Sequence, residues 1–201
     1  MPVPAFLALL LSAAPAAANL DCPARPLTAA ERGMGERAFA ALSKALPAAL
    51  PGWTGPEDSD RSLPTELCQG MEATPLVWIL DRTFSDASGM KKRTAALSAR
   101  VNPWDETVPP SASPLKLKGA AQAYRLVEEV DDARLVTVWI LLGSWRNRRA
   151  EDGLVNAAFR KETPHTAVQT ISVRIDADPK DEAQILRALD LKALAALLSK
   201  K

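Results

Sequence analysis

The chain contains a single histidine, His165, which lies between Pro164 and Thr166. A histidine can act as general base beside a serine nucleophile and a carboxylate, as in acyl-transfer hydrolases. Ser144 follows Gly143, but the G-x-S-x-G signature that exposes such a serine at a sharp turn is absent. We therefore interpret His165 as an ordinary residue at the start of a strand. The sequence predicts no catalytic residue, and a hydrolase of an unrecognised type stays an alternative.

Four carboxylates, Glu128, Glu129, Asp131 and Asp132, lie in one short segment and could attract Ca²⁺. They lack the glycine and the ligand spacing of an EF-hand loop, which favours a solvated acidic turn. A zinc site would need clustered cysteines and histidines, and a nucleotide site would need a glycine-rich phosphate loop; the sequence has neither. The sequence therefore predicts no metal and no cofactor.

A basic segment follows the most apolar stretch of the chain and is the candidate binding site. Here Trp145 is followed by three guanidinium groups, those of Arg146, Arg148 and Arg149. Guanidinium groups beside an aromatic ring are suited to carboxylates and phosphates. Two acidic residues at 151–152 could neutralise the segment, so a solvated basic loop is the alternative interpretation.

The five tryptophans, against one tyrosine, point in two directions. Trp78 and Trp139 lie inside apolar strands, which favours core packing. Trp53, Trp104 and Trp145 lie beside predicted loops and could be exposed platforms for a glycan or a peptide.

Hydrophobic periodicity predicts a helix, a run of strands and a second helix. Thr28 and Glu31 form a capping box for an amphipathic helix that should end near Pro47. A C-terminal helix should start at 178–179 and be capped again at Asp190. The predicted strands are 75–84, 94–101, 120–127, 134–142 and 168–177, with 54–74 irregular, an acidic turn at 128–133 and a Pro-rich loop at 102–118.

This order of elements predicts an α+β fold with about five mostly antiparallel strands in one sheet, covered by an N-terminal and a C-terminal helix. Strand 134–142 is apolar on both faces, as expected for a central strand that is covered on both sides. Strand 168–177 alternates apolar and polar residues, which predicts one wet face. Residues 19–201 are expected to form a single domain.

Residues 1–18 resemble a signal peptide, with an unbroken apolar stretch at 5–11 and small residues before Asn19. We predict cleavage after Ala18, because alanines then occupy both positions that signal peptidase recognises. The apolar stretch is about half as long as a membrane span, which argues against a permanent anchor. The sequence therefore predicts a protein of the bacterial periplasm or the secreted space.

The two cysteines, Cys22 and Cys68, form an even pair in a chain with an export signal. In an oxidising compartment such a pair favours one disulfide, which would hold the mature N-terminus to the domain. Free thiols are the alternative.

Lys and Arg total 25 against 24 Asp and Glu, which gives a net charge of +1. A near-neutral chain has no bulk attraction to nucleic acid or to an anionic membrane. We expect an exported, non-enzymatic binding protein whose partner is an envelope protein or a cell-wall polymer, with no stable membrane insertion after signal cleavage. The alternatives are the hydrolase and a carrier of a small apolar ligand between helix and sheet.

Overall fold

A computed structural model describes residues 23–62, 66–68, 75–86, 93–130 and 133–199, with the backbone alone at 59–62, 68 and 130. Its three helices are α1 (Ala29–Ala45), α2 (Glu182–Ala188) and α3 (Leu191–Leu197). Its strands are β1 (Ala24–Pro26), β2 (Trp53–Ser62), β3 (Glu66–Cys68), β4 (Trp78–Asp86), β5 (Thr94–Val101), β6 (Asp105–Thr107), β7 (Ser113–Pro114), β8 (Gln122–Val130), β9 (Ala133–Gly143), β10 (Leu154–Asn156) and β11 (Thr170–Ala177). Within these described ranges, no helix has the length and apolar character needed to cross a membrane.

Seven strands form the main sheet, in the order β2-β4-β5-β11-β9-β8-β7, and each neighbouring pair is antiparallel. Two small antiparallel pairs, β1 with β3 and β6 with β10, lie outside it. The fold is therefore α+β. The prediction of about five strands was too low, because β2 and β7 extend the sheet at its two edges.

The helices cover one face of the sheet and enclose the main core. This core is formed by side chains that are almost fully buried, including Phe39, Leu42, Trp78, Leu80, Ile140, Ile171 and Ile175. The capping box at Thr28 and Glu31 is present, and α1 ends at Ala45, as the sequence predicts. Strand β9 lies between β11 and β8 and is buried on both faces from 136 to 142, which confirms its central position.

The described residues cover the second face of the sheet only in part. Val108 and Ala112 of the Pro-rich segment and Val155 of β10 pack there against Trp139 and Leu141 of β9 in a smaller core. The Pro-rich segment, where a loop was predicted, thus contains β6 and the edge strand β7, and part of it covers this face. Toward β5 and β11 this cover ends, and polar side chains of the sheet are left beside a groove.

Other boundaries differ from the predicted ones for local reasons. Residues 54–74, predicted to be irregular, contain most of β2 and all of β3. Strand β8 extends to Val130 and β9 begins at Ala133, so the strands reach into the range 128–133 that was predicted to be an acidic turn. The predicted C-terminal helix is divided in two: Asp181 is the N-cap of α2, and the carboxylate of Asp190 accepts a hydrogen bond from Ala193 N at the start of α3.

The signal peptide at 1–18 and Cys22 lie outside the described residues, as does the side chain of Cys68. Both the cleavage after Ala18 and the disulfide therefore stay predictions.

Candidate functional site

The groove on the second face of the sheet has a volume of about 190 Å³, and its lining is mainly polar. We name it the open-face groove. Alternation along β5 directs Ser98 and Arg100 to this face, and alternation along β11 does the same for Ser172 and Arg174. The lining residues come from β5, β6, β9 and β11, and they include Ser98, Arg100, Asp105, Glu106, Trp139 and Arg174.

Glu106 is the deepest ionisable group of the groove. It comes from β6, which crosses the sheet, and it is only 8% exposed. The Ser172 hydroxyl donates a hydrogen bond of 2.5 Å to Glu106 Oε1. Burial raises the pKa of the Glu106 carboxyl, while the hydrogen bond from Ser172 and the nearby guanidinium groups of Arg100 and Arg174 act in the opposite direction.

The Arg100 guanidinium stands beside Glu106 without bonding to it. Its Nη1 lies 3.9 Å from Glu106 Oε1, beyond hydrogen-bond distance, and the side chain is 45% exposed. None of the described residues accepts a hydrogen bond from this guanidinium. Arg100 therefore presents its planar set of N–H donors to the groove, ready for an incoming carboxylate or phosphate.

Arg174 is held more firmly than Arg100. Its Nε lies 2.9 Å from Asp176 Oδ2, and Thr137 donates to the other oxygen of the same carboxylate at 2.7 Å. The Arg174 guanidinium carbon also lies 5.8 Å from the ring centroid of Trp139, a cation–π contact over a buried ring. The Arg174 charge is thus fixed at one side of the groove.

No family model, curated protein or solved structure matches this chain. The volume of about 190 Å³ is smaller than the roughly 300–1,000 Å³ of sites for drug-sized ligands. The groove suits a small molecule or the charged end group of a larger one.

Trp145 and Arg148 of the predicted basic site hold the cover of the sheet in place. Trp145 Nε1 donates to Leu142 O at 2.9 Å, and its backbone forms a bridge with Ala157. Arg148 Nη1 donates to the carbonyl oxygens of Pro109 and Ala112 at 3.0 and 2.8 Å. Its guanidinium carbon also lies 4.7 Å from the ring centroid of Tyr124. Arg148 thus fastens the Pro-rich segment to the sheet.

The other two arginines of that site are more exposed. Arg149 lies 3.0 Å from Glu151 and 3.2 Å from Asp152, the neutralisation expected of a solvated basic loop. The exposed Arg146 side chain has no hydrogen-bond or ion-pair partner among the described residues. The segment therefore keeps one unpaired guanidinium, while the groove on the sheet brings together two guanidinium groups and a buried carboxyl.

His165 belongs to a different cluster, at the N-terminal end of α1. Its ring Nε2 lies 2.6 Å from Glu31 Oε1. Arg25 donates to both Glu31 carboxylate oxygens, at 2.8 and 2.9 Å, and the Thr28 backbone N–H donates as well. Within the described chain the His165 ring bonds to no serine or threonine. The cluster joins β1, α1 and the segment before β11.

The Glu31 cluster makes stability depend on pH. Hydrogen bonds from Arg25 hold the pKa of the Glu31 carboxyl well below its usual range, although burial acts in the opposite direction. A lowered folded-state pKa gives stability that is complete above the unfolded-state pKa of about 4.3 and is lost as the pH falls below it. We expect Glu31→Gln to lower the free energy of unfolding by about 2 kcal/mol at pH 7. This deficit should shrink as the pH is lowered below about 4.3.

Urea denaturation at a series of pH values measures this difference. Glu36, an exposed glutamate on the same helix, provides the matched control Glu36→Gln, which should match the wild type throughout. A deficit for Glu31→Gln that does not change with pH would contradict the assignment.

The five tryptophans differ in how far they are exposed to solvent. Trp78 and Trp139 are buried, as predicted, and Trp53 and Trp145 are half-buried. Trp104 is 54% exposed, and its ring contacts Phe159 edge to face with 5.4 Å between the centroids.

The acidic segment shows no metal-binding arrangement in its described part. Asp131 and Asp132 lie outside the described residues. Among the residues that are described, no group of three or more His, Cys, Asp or Glu is placed to hold a metal ion.

Sequence reasoning missed the groove because its residues are far apart in the chain. The alternation in 168–177 predicted a wet face; Arg174 on that face is exposed, whereas Ser172 is buried and bonded to Glu106. Strand 94–101 alternates in the same way. That shared pattern was the available signal. No sequence motif marks the sheet order that places β5 beside β11. None marks the turn of the chain after β5 that brings Glu106 of β6 over these two strands.

Proposed function

We propose that this protein is an exported, non-enzymatic binding protein of the bacterial periplasm or secreted space. Its partner would be an envelope protein or a cell-wall polymer that presents an anionic group to the open-face groove. One observation carries the proposal: the Arg100 guanidinium faces the groove with no hydrogen-bond acceptor among the described residues. An arginine whose donors are free beside a cavity is suited to bind a carboxylate or a phosphate.

The surroundings of Arg100 support recognition. Arg100 and Arg174 project from β5 and β11, adjacent strands in the middle of the main sheet, so the backbone fixes their spacing. Sites built on strands lose little conformational freedom when a ligand binds. The contact with Trp139 further restricts Arg174.

The same surroundings favour binding over catalysis. Ser172, whose hydroxyl bonds to Glu106, is only 3% exposed and offers no accessible nucleophile. The histidine of the chain is engaged with Glu31 in another part of the molecule. A carrier of an apolar ligand is less supported, since the space between helices and sheet is filled by side chains such as Phe39, Leu42 and Trp78.

Export and the Cys22–Cys68 disulfide are part of the proposal. The signal-like residues 1–18 support export. The antiparallel pairing of β1 with β3 sets Ala24 opposite Cys68, and this supports a link to the segment that precedes β1.

A cross-linking pull-down from the native envelope fraction tests the groove. We expect the double variant Arg100→Ala/Arg174→Ala to capture less than about a tenth of the partner held by the wild type, because both cations that face the anion are lost. The thermal midpoint should stay nearly unchanged, since both side chains are about half exposed. Capture by the wild type should also weaken as the salt concentration rises.

The double variant Arg146→Ala/Arg149→Ala is the matched control, because it removes the same charge from the basic segment. It should capture the partner as the wild type does. Loss of capture in this control alone would place the binding site at 145–149. Unchanged capture in both double variants would reject an arginine-dependent site on either surface.

A further inference from the structure

The open-face groove contains an ion pair, Arg100 and Glu106, whose two groups do not form a hydrogen bond with each other. Arg100 has no hydrogen-bond acceptor among the described residues, and its closest approach to Glu106 is 3.9 Å. Glu106 bonds to Ser172 through Oε1, and no described residue donates to its other oxygen. Exposed Asp105, beside Glu106 in β6, adds a second carboxylate at the edge of the groove. A simple anion would use Arg100 and leave the second carboxylate oxygen of Glu106 without a donor.

An α-amino-acid unit with a free ammonium and a free carboxylate has the charges that this arrangement lacks. The carboxylate can accept two parallel N–H bonds from a guanidinium, and the ammonium carries three donors for carboxylate oxygens. Both groups sit on one carbon atom, which suits a groove of about 190 Å³. We propose that the groove binds a zwitterionic α-amino-acid unit, with its carboxylate on Arg100 and its ammonium on Glu106 and Asp105. This inference rests on the proposed function.

The burial of Glu106 favours its neutral form, even beside two arginines. Burial raises the pKa of this carboxyl, although the hydrogen bond from Ser172 and the charges of Arg100 and Arg174 act in the opposite direction. A ligand ammonium inside the groove would stabilise the ionised form. A ligand that offered only a carboxylate would instead have to meet Glu106 in its protonated form or be repelled by it.

Isothermal titration calorimetry with three small probes tests the charge requirement on the whole mature protein. Alanine carries both charges, propionate carries only the carboxylate, and ethylamine carries only the ammonium. We expect alanine to bind at least about tenfold more tightly than either of the others, because each charged hydrogen-bonding group contributes separately.

Two variants assign the two charges to their residues. Glu106→Gln should weaken alanine by at least about tenfold and leave propionate unchanged or tighter, while Arg100→Gln should weaken both. Gln can still accept the hydrogen bond from Ser172, so the Glu106 variant keeps the local structure. Arg146→Gln is the matched control and should bind all three probes as the wild type does.

Co-sedimentation with insoluble cell-wall polymer, with and without alanine, separates the two sources of such a unit. If the protein sediments with the polymer and added alanine reverses this, the amino-acid unit belongs to the polymer. If the protein binds alanine but does not sediment with the polymer, the ligand is a free amino acid. Equal affinity for propionate and alanine, or binding of neither, would overturn the zwitterion inference. If the pull-down still depends on Arg100 and Arg174 in that case, the proposed function stands and only this inference fails.

Discussion

Replacing Asn102 by alanine should lower the free energy of unfolding by at least about 4 kcal/mol, because the Asn102 side chain satisfies four buried backbone groups. Its Nδ2 donates to Leu76 O and Ala167 O at 3.1 and 2.9 Å. Its Oδ1 accepts from the backbone N–H groups of Gln169 and Thr170 at 2.7 and 3.3 Å. The residue is 0% exposed, so water cannot replace these partners. Each buried group left unpaired costs about 1–3 kcal/mol.

The backbone of Asn102 adds a second cost. Its φ is +52°, in the left-handed region that asparagine tolerates better than alanine does. Asn102→Gly should therefore be less destabilising than Asn102→Ala by about 1 kcal/mol, although it loses the same hydrogen bonds. Comparing the two variants separates the contribution of the side chain from that of the backbone.

Urea denaturation followed by tryptophan fluorescence measures these losses. Asn147 is exposed, and Asn147→Ala is the matched control, with an expected change within about 0.5 kcal/mol. A loss below about 1 kcal/mol for Asn102→Ala would mean that the backbone groups find other partners.

Asn102 also determines where the groove lies. It directly follows β5, which carries Arg100, and it precedes β6, which carries Glu106. Its bonds to residues 167, 169 and 170 fix this reversal against the start of β11, the strand of Ser172 and Arg174. A shift of the reversal would separate Glu106 from Ser172, so we expect destabilisation at Asn102 to be accompanied by weaker ligand binding.

The parts of this fold that sequence predicts well are those with a local cause. The capping box at Thr28 and the second cap at Asp190 depend on residues three positions apart, so their patterns are visible in the chain. Strand β9 is apolar on both faces because it is central and covered on both sides. Burial of Trp78 follows from the apolar strand around it.

The parts that sequence did not predict depend on partners far away in the chain. Strand β2 is a polar edge strand with Gly55 and Pro56 near its start and register shifts in its pairing with β4, features that weaken any strand pattern. The groove needs β5 beside β11, and sheet order has no local signature. Arg148 has the charge and donor groups of a binding residue. Only the fold shows that its guanidinium donates to the carbonyl oxygens of Pro109 and Ala112.

Arg82 gives the second large effect, since it joins α1 to the sheet from a buried position. It is 4% exposed, and it donates to Asp58 through Nε and Nη2 at 2.7 and 3.2 Å. Its Nη1 also donates to the carbonyl oxygens of Leu46 and Pro47 at 3.3 and 2.9 Å. These carbonyls follow the last turn of α1, where a positive charge also interacts favourably with the helix dipole.

We expect Arg82→Met to lower the free energy of unfolding by about 3–5 kcal/mol, because methionine fills similar space but leaves the Leu46 and Pro47 carbonyls without a donor. Arg82→Lys should cost less, since it keeps the charge and loses the planar set of donors that reaches Asp58 and the helix end together. Arg187, an exposed arginine on α2, provides the matched control Arg187→Met, which should change stability by less than about 0.5 kcal/mol. If urea denaturation gave Arg82→Met and Arg187→Met the same small effect, Asp58 and the end of α1 would have to be satisfied by water, and Arg82 would not be the link between α1 and the sheet.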